Sequence, residues 1–567
     1  MRDLPMLETE VLIVGGGITG AGVMRDLALR GIHSVLIDKI DLCAGASGGN
    51  HGLLHSGARY VSTDLEAAIE CRQENELLRR LAPQCVEATG GLFVAVEGDD
   101  PGFIERFPAL CARAGIACEV LDAAQARVLE PHLSPRVVAA CRVPDAAVDP
   151  FHLALAHVDH ARRLNGSIYL AHTELLQFEM AEGEIRAARC VEHRSGATRL
   201  IRARQVVNAG GAWAMRIARL AGCADVDLVY AKGTLLVHHD RMARHVVNRL
   251  RPPGDGDILV PGGSVSLLGT TSTRVDDPDR VAPTADEVDR IVREGAAMLP
   301  ALAGARYTRA FSRVRPLLQS TGTSDRAASR GFALLDHASQ GLGNFCTITG
   351  GKLTTFRRMA EQAADLVARR LGRPQPGTTS TEPLPDDVAG RWTDARGAAR
   401  QAWSQDRADD PILCECELVP RSAIDEIVAT CQAPATGLGH PEPSTIAIQT
   451  NDMRQPEGRV DLEAIALRSR VGKGSCQGAF CGIRVASHLY DRGHYVDAAG
   501  LLDLRRFLDE RFKGQRPVIW GRQAAQLELA EAVHCGLLGL DGLEADDDPA
   551  PSAQAAPAAE AGGARGS

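Results

Sequence analysis

The sequence predicts an α/β fold, in which a nucleotide-binding layer of strands and helices is followed by a small cysteine-bearing domain. Three observations predict it. The chain opens on a strand, a glycine turn, a helix and a second strand, ETEVLIVGGGITGAGVMRDLALRGIHSVLID, which closes on Asp38. A later strand again runs into glycines at QVVNAGGAWA, residues 205–214. Four cysteines fall in two close pairs far down the chain, Cys414 with Cys416 and Cys476 with Cys481.

In the opening unit, the apolar run from Val11 to Val14 reads as a buried strand, and Ile18 to Leu29 carry a helical apolar period. Gly15, Gly17 and Gly20 fit G-x-G-x-x-G between them. Gly15 allows the tight turn, Gly17 lets backbone approach a pyrophosphate, and Gly20 lets helix pack on strand, while the helix N-terminus attracts the anion. Asp38 stands where the motif places an acceptor for a ribose hydroxyl. The place of this unit near the N-terminus favours FAD over NAD, a preference that comes from the families carrying the motif and not from its spacing. The glycines of 205–214 are consistent with a second approach of backbone to the same dinucleotide.

A chain of 567 residues holds two to four domains, with ample interior for a cofactor. The net charge of -9 argues against a nucleic-acid partner, which needs a strongly basic face. A small anionic substrate stays open where local arginines outweigh the global sign. No run approaches the length of a membrane helix, and the N-terminus lacks the basic-then-apolar pattern of a signal peptide, so a cytoplasmic chain is expected. Fifteen cysteines, most of them standing singly, are expected to be reduced and mostly buried. Residues 373–411 mix Pro, Gly, Ser, Thr and charge and read as a linker. Residues 431–460 form a second polar, proline-containing stretch, and 545–567 read as a disordered tail. The expected organisation is an oxidoreductase unit over 1–372, a metal-binding domain over 412–490 and a helical extension over 491–544.

The stretch ASGGNHGLLHSGARY (46–60) narrows the reading, together with VDPF, AKGTLLV, DILVPGG, RVRPLL, SRGFALLDH and TGGKLTTFR. Together they resemble the FAD-dependent glycerol-3-phosphate dehydrogenases across nearly all of residues 8–372. Past the linker, CECELV, GSCQGAFC and FLDERFKGQRPVIWG resemble the catalytic subunits of the bacterial anaerobic members. The resemblance implies an FAD-binding Rossmann-like domain of the glutathione-reductase/D-amino-acid-oxidase type with an antiparallel-sheet substrate domain. It implies oxidation of sn-glycerol 3-phosphate to dihydroxyacetone phosphate. It also implies a flavoprotein subunit as partner, with a membrane-associated iron-sulfur subunit that delivers electrons to quinone, and places this chain peripherally on the inner face of the membrane through them. Two other readings stay open: a flavin dehydrogenase of another small hydroxy or amino compound, and an electron-transfer subunit with a vestigial substrate site.

The cysteine pairs are C-x-C and C-x-x-x-x-C. Four thiolates from two loops suit a 2Fe-2S cluster, each iron held by two sulfurs, and the region resembles the small module of bacterioferritin-associated ferredoxin. A structural zinc site is the rival, although those usually use C-x-x-C knuckles. Four unliganded core cysteines would explain no spacing.

Oxidising an alcohol carbon requires a base for the hydroxyl proton while hydride leaves, a role that suits histidine. By resemblance that residue is His55, and His51 competes with it. The phosphate calls for arginines; the resemblance names Arg59, Arg315 and Arg330, with Tyr60 adding a hydroxyl and Lys352 contacting substrate or the flavin carbonyl. The segment Leu353 to Leu371 reads as a helix whose positive end points at the flavin. Further cofactor contacts are expected at Ser47, Asn50, Asn208, Gly210, Gly350, Gly351 and Leu353.

Overall fold

The computed structural model describes residues 5–223, 228–318, 331–385, 409–432 and 460–543. Strand β1 (Met6–Val14), helix α1 (Ile18–Leu29) and strand β2 (Ser34–Ile37) form at the predicted places. β1 lies parallel to β2 on one side and to Thr198–Asn208 on the other; Ile168–Leu170 and Phe345–Gly350 extend the parallel layer outward. Val11, Leu12 and Ile13 are fully buried because both faces of this layer are covered. α1 packs between helices Pro150–Asn165 and Phe356–Arg370. A Cβ on Gly22 would stand 2.9 Å from that of Ala360, so glycine sets how closely those two helices approach. The C-terminal ends of the parallel strands deliver Gly15, Asp38, Ala209 and Gly350 to one side of the sheet, where open α/β sheets bind ligands.

A sheet of nine strands among the described residues forms the second layer. It is antiparallel as expected, except where Val246–Arg249 runs parallel to Gly91–Val96. Its longest strand pair joins Leu228–His238 to Tyr307–Leu318. In the latter, Ala310, Ser312 and Val314 are buried on one face, so Arg309, Phe311, Arg313 and Arg315 leave from the other.

Three expectations about organisation change. The linker reading fails over 373–385, which packs on the first domain: Leu384 is 5% and Thr379 4% exposed, Arg357 donates to Thr379 Oγ1 at 3.0 Å, and Arg25 donates to the Glu382 carbonyl at 2.8 Å. The rest of the predicted linker, 386–408, lies outside the described residues, as do 433–459 and the tail from 544. The extension over 491–544 is not a separate body. Helix Ala499–Gln515 puts Leu504, Leu508 and Phe512 into the same core as Val419, Ile424, Leu462 and Leu489 of the cysteine-bearing domain. Finally, the expected helix from Leu353 begins as a 3-10 turn, Leu353–Thr355, before the α-helix Phe356–Arg370. Among the described residues no helix is long and apolar enough to cross a membrane.

Candidate active site

A cavity of ≈ 690 Å³ runs from Gly15, Gly17 and Asp38 at one end to His55, Arg59, Tyr60, Arg315 and Lys352 at the other. At the first end the three glycines have distinct reasons. Gly15 has φ +117°, and a Cβ there would stand 2.5 Å from the Ala209 carbonyl oxygen. A Cβ on Gly20 would stand 2.0 Å from the Gly15 carbonyl oxygen, which is the tight helix-to-turn packing. Around Gly17 the nearest atom is Ser47 Oγ at 3.1 Å, so the space before the α1 N-terminus is open to a phosphate. Ser47 Oγ also accepts from the Ile18 amide at 3.0 Å, the cap that Gly17 cannot supply.

Asp38 lines this end and accepts from the amides of Gly16 (2.7 Å) and Ile40 (2.9 Å); burial outweighs those bonds and pushes its carboxyl up to about 6. Asn50 holds its own loop, donating to the carbonyls of Ala46 and Ser47 and accepting from the Gly52 amide. Asn208 departs from expectation. Its side chain is fully buried, donates to the Ala214 carbonyl (2.8 Å) and Thr347 Oγ1 (3.1 Å), and accepts from the Gly210 amide (3.1 Å), so it ties its strand end to the following turn and helix and to the neighbouring strand, and it does not line the cavity. Gly210, Gly350, Gly351 and Leu353 do line it. Gly351 has φ +73°, and a Cβ there would meet Met359 Sδ at 2.4 Å. Missed from the sequence is a clasp at this end: Lys39 Nζ lies 4.5 Å above the Trp213 ring, and both donate to Asp279, at 3.2 and 2.7 Å.

At the other end, Tyr60 Oη and His55 Nε2 are 3.5 Å apart and Lys352 Nζ lies 5.2 Å from the Tyr60 ring centre. Arg59 donates through Nη2 to Asp257 Oδ1 at 2.7 Å, a pair with side chains only 10% and 1% exposed, while its Nη1 is buried with no hydrogen-bond partner. Arg315 donates to the Thr271 carbonyl and crosses Gly233, where a Cβ would stand 2.9 Å from its Nη2. That explains the glycine of AKGTLLV. His51 lines the same cavity and feels both guanidinium charges. Burial first, and then the charges of Arg59 and Arg315, push its imidazolium down to about 3, so His51 stays neutral and accepts a proton poorly. Arg330 lies outside the described residues.

Sequence reasoning also missed Arg313 and Asp257. Arg313 donates to the Ala44 carbonyl at 3.1 Å and packs on Gly49, where a Cβ would stand 2.0 Å from its Cγ. The R-V-R alternation in a strand was the available signal, since it puts Arg313 and Arg315 on one face. Asp257 opens the stretch DILVPGG, yet nothing local marks its pairing with a distant arginine.

The four expected metal ligands meet in the third region. Cys414 ends strand Ile412–Cys414 and Cys481 begins helix Cys481–Asp491. Each sulfur neighbours two others, Cys414 with Cys416 and Cys481, and Cys476 with Cys416 and Cys481, which closes a ring. Backbone amides face every sulfur: Glu417 to Cys414, Cys476 to Cys416, Phe480 and Gly478 to Cys476, and Gly472 to Cys481. Leu418 (φ +53°) and Gln477 (φ +49°) turn the two loops through left-handed backbone. Cys414 and Cys481 are buried while Cys416 and Cys476 reach the surface.

Residues 10–366 match the family described as FAD dependent oxidoreductase. The A subunit of the anaerobic glycerol-3-phosphate dehydrogenase of Escherichia coli is 40% identical over 96% of this chain and 100% of its own. The Haemophilus influenzae protein of that name is 36% identical, covering 97% and 96%, and the A1 subunit from Haloferax volcanii is 37% identical, covering 95% and 91%. Among solved structures, the glycerol-3-phosphate dehydrogenase of Bacillus halodurans complexed with FAD shares the fold, with TM-score 0.61 and 20% identity over 91% of this chain and 96% of that one. Glycine oxidase from Bacillus cereus aligns with TM-score 0.54 and 18% identity over 67% and 99%. With a glycine turn built for a dinucleotide and this likeness along almost its whole length, the chain belongs to the FAD dependent oxidoreductases and, among them, to the group of anaerobic glycerol-3-phosphate dehydrogenase A subunits.

Proposed function

We propose that this chain oxidises sn-glycerol 3-phosphate at C2 to dihydroxyacetone phosphate and passes the electrons through a 2Fe-2S cluster on Cys414, Cys416, Cys476 and Cys481. The observation that carries the reading is the convergence, at one end of the dinucleotide cavity, of His55 with two guanidiniums, one of which keeps a buried Nη1 without a protein partner. Arg59 and Arg315 bind the phosphate, each through charge-assisted bonds of about 1.5–3 kcal/mol. Tyr60 and Lys352 flank the substrate, and the family resemblance adds Arg330, outside the described residues, as a third phosphate arginine. His55 takes the C2 hydroxyl proton as hydride departs, its backbone amide held by Thr354 Oγ1 at 3.1 Å. Bound FAD supplies the hydride acceptor. The turn at Leu353–Thr355 and the Lys352 charge give that end a positive potential, which favours the charge that develops there.

The cysteine ring fits a binuclear centre: four donors, two from each loop, with amides directed at every sulfur, as thiolates of an anionic cluster require. One-electron delivery calls for separate acceptors. Two further chains, one a flavoprotein subunit, the other a membrane-associated iron-sulfur subunit, would relay to quinone and hold this chain peripherally at the inner face of the membrane. Such an assembly is in keeping with relatives that are themselves named as subunits.

The test is an anaerobic spectrum of the purified chain before and after adding glycerol 3-phosphate. Flavin bleaching, dihydroxyacetone phosphate and a two-iron signal are expected. A flavin that glycerol 3-phosphate leaves oxidised overturns the substrate assignment, and stoichiometric zinc without iron overturns the cluster.

A further inference from the structure

The arginine-bearing face of Tyr307–Leu318 passes two cavities in succession. Arg315 lines the dinucleotide cavity, Arg313 lines both, and Arg309 and Phe311 line a second cavity of ≈ 330 Å³. The far wall of the second cavity belongs to the cysteine-bearing domain and includes Gly472, Gln477 and Arg511. It therefore stands between the dinucleotide site and the sulfur ring.

Arg511, from helix Ala499–Gln515, lies over the Phe507 ring at 4.4 Å. It presses on two turns: a Cβ on Gly472 would stand 3.1 Å from its Nη2, and one on Gly478 3.3 Å from its Nε. Those are the glycines whose amides face Cys481 and Cys476. The Arg511 Nε is buried with no hydrogen-bond partner. The other arginines beside the ring are matched, Arg470 with Glu417 at 2.5 Å and Arg484 with Glu415 at 2.8 Å, the latter pair largely in solvent. Among the described residues no carboxylate reaches Arg511 within ion-pair distance; Glu463 and Glu510 act on it from farther away, and burial pushes Glu463 up to about 7. A buried cation so placed is costly unless negative charge compensates it.

We propose that Arg511 is the residue that sets the reduction potential of the cysteine-held centre, its buried guanidinium, in contact ion pair with no carboxylate among the described residues, being directed at the negative charge of the cluster. This rests on the two-iron reading of the ring. When the centre takes one electron it gains one negative charge, and a fixed cation nearby stabilises the reduced form more than the oxidised one, which raises the potential. Because Arg511 sits on the side facing the dinucleotide, the same charge favours the centre as acceptor of electrons from there.

The experiment is an EPR-monitored redox titration of the full chain, anaerobically purified, with iron and FAD quantified in parallel. Arg511→Met is expected to keep both and to lower the midpoint by about 59 mV or more, a tenfold change in a one-electron equilibrium. Arg511→Lys keeps most of the wild-type value, and Arg484→Met, at a paired and exposed position, moves it less than Arg511→Met does. Glu463→Gln, which removes the facing carboxylate, gives a second reading and raises the midpoint; it serves if Arg511→Met cannot hold iron. A two-iron signal whose potential Arg511→Met leaves unmoved overturns this inference alone, as does an unmoved potential in Glu463→Gln where Arg511→Met holds no iron. A wild-type chain without any two-iron signal overturns the reading of the ring, and this inference with it.

Discussion

The two ends of the dinucleotide cavity are built by opposite means. At Gly15–Gly20 contact is made by backbone, and side chains are excluded by approaches as short as 2.0 Å. Around Arg59 contact is made by side chains from separated segments, each with its own support, such as Asp257 for Arg59 and Gly233 for Arg315. The nucleotide end should fail as a whole when one residue gains a methyl group. The substrate end should lose function piecewise.

Gly20→Val tests the first half of that contrast and carries the largest effect. Its Cβ has no room before the Gly15 carbonyl, so α1 must move off β1, the phosphate site is lost, and a chain without FAD and with a lower Tm is expected. Full FAD occupancy in this variant would break the contrast. Next comes His55→Gln, which should lower kcat by about 10²- to 10⁴-fold with FAD retained. His51→Gln should leave the pH profile unchanged above about pH 5, because His51 is already neutral there. A profile that shifts in His51→Gln and not in His55→Gln would exchange their roles.

The same contrast accounts for what the sequence reveals. The nucleotide turn is one contiguous unit with local periodicity and glycine spacing, so its strand, helix and acid are legible without any partner. The pairing of Arg59 with Asp257 is tertiary and has no local signature. Asn208 sits among glycines in a motif-like place, yet three hydrogen bonds, to the Gly210 turn, the start of helix Ala214–Leu220 and Thr347 of the neighbouring strand, commit its side chain to the scaffold. Residues 373–385 have linker composition, but Arg25 and Arg357 anchor them through carbonyl and hydroxyl groups, which composition does not show. That the four cysteines come together is legible because two close pairs stand out among cysteines that otherwise occur singly.

Arg315→Met comes third. It should raise KM for glycerol 3-phosphate roughly ten- to a hundredfold, the loss of one charge-assisted bond, while weak turnover of glycerol is nearly unaffected. Equal losses on both substrates would mean that Arg315 supports the strand and not the phosphate.

Asp257→Asn should have the smallest effect on turnover and gives the sharpest view of how the substrate end is assembled. Asp257 accepts from Arg59 Nη2 and from the Gly254 amide, both at 2.7 Å, and is itself 1% exposed. Asparagine keeps the shape and an acceptor oxygen but removes the charge, which leaves Arg59 buried without its counter-ion. That is destabilising, by up to about 3–5 kcal/mol where a buried pair is broken outright and by less where a hydrogen bond survives. The uncompensated guanidinium then attracts an anion more strongly. These changes oppose each other at the phosphate, so KM should shift less than about tenfold, with kcat preserved. They separate in thermal unfolding: the variant should melt below wild type in buffer, and inorganic phosphate should raise its Tm by more than it raises that of wild type. An equal rise in both proteins would show that Arg59 does not face the phosphate, and the substrate end would have to be rebuilt around Arg315 and Lys352.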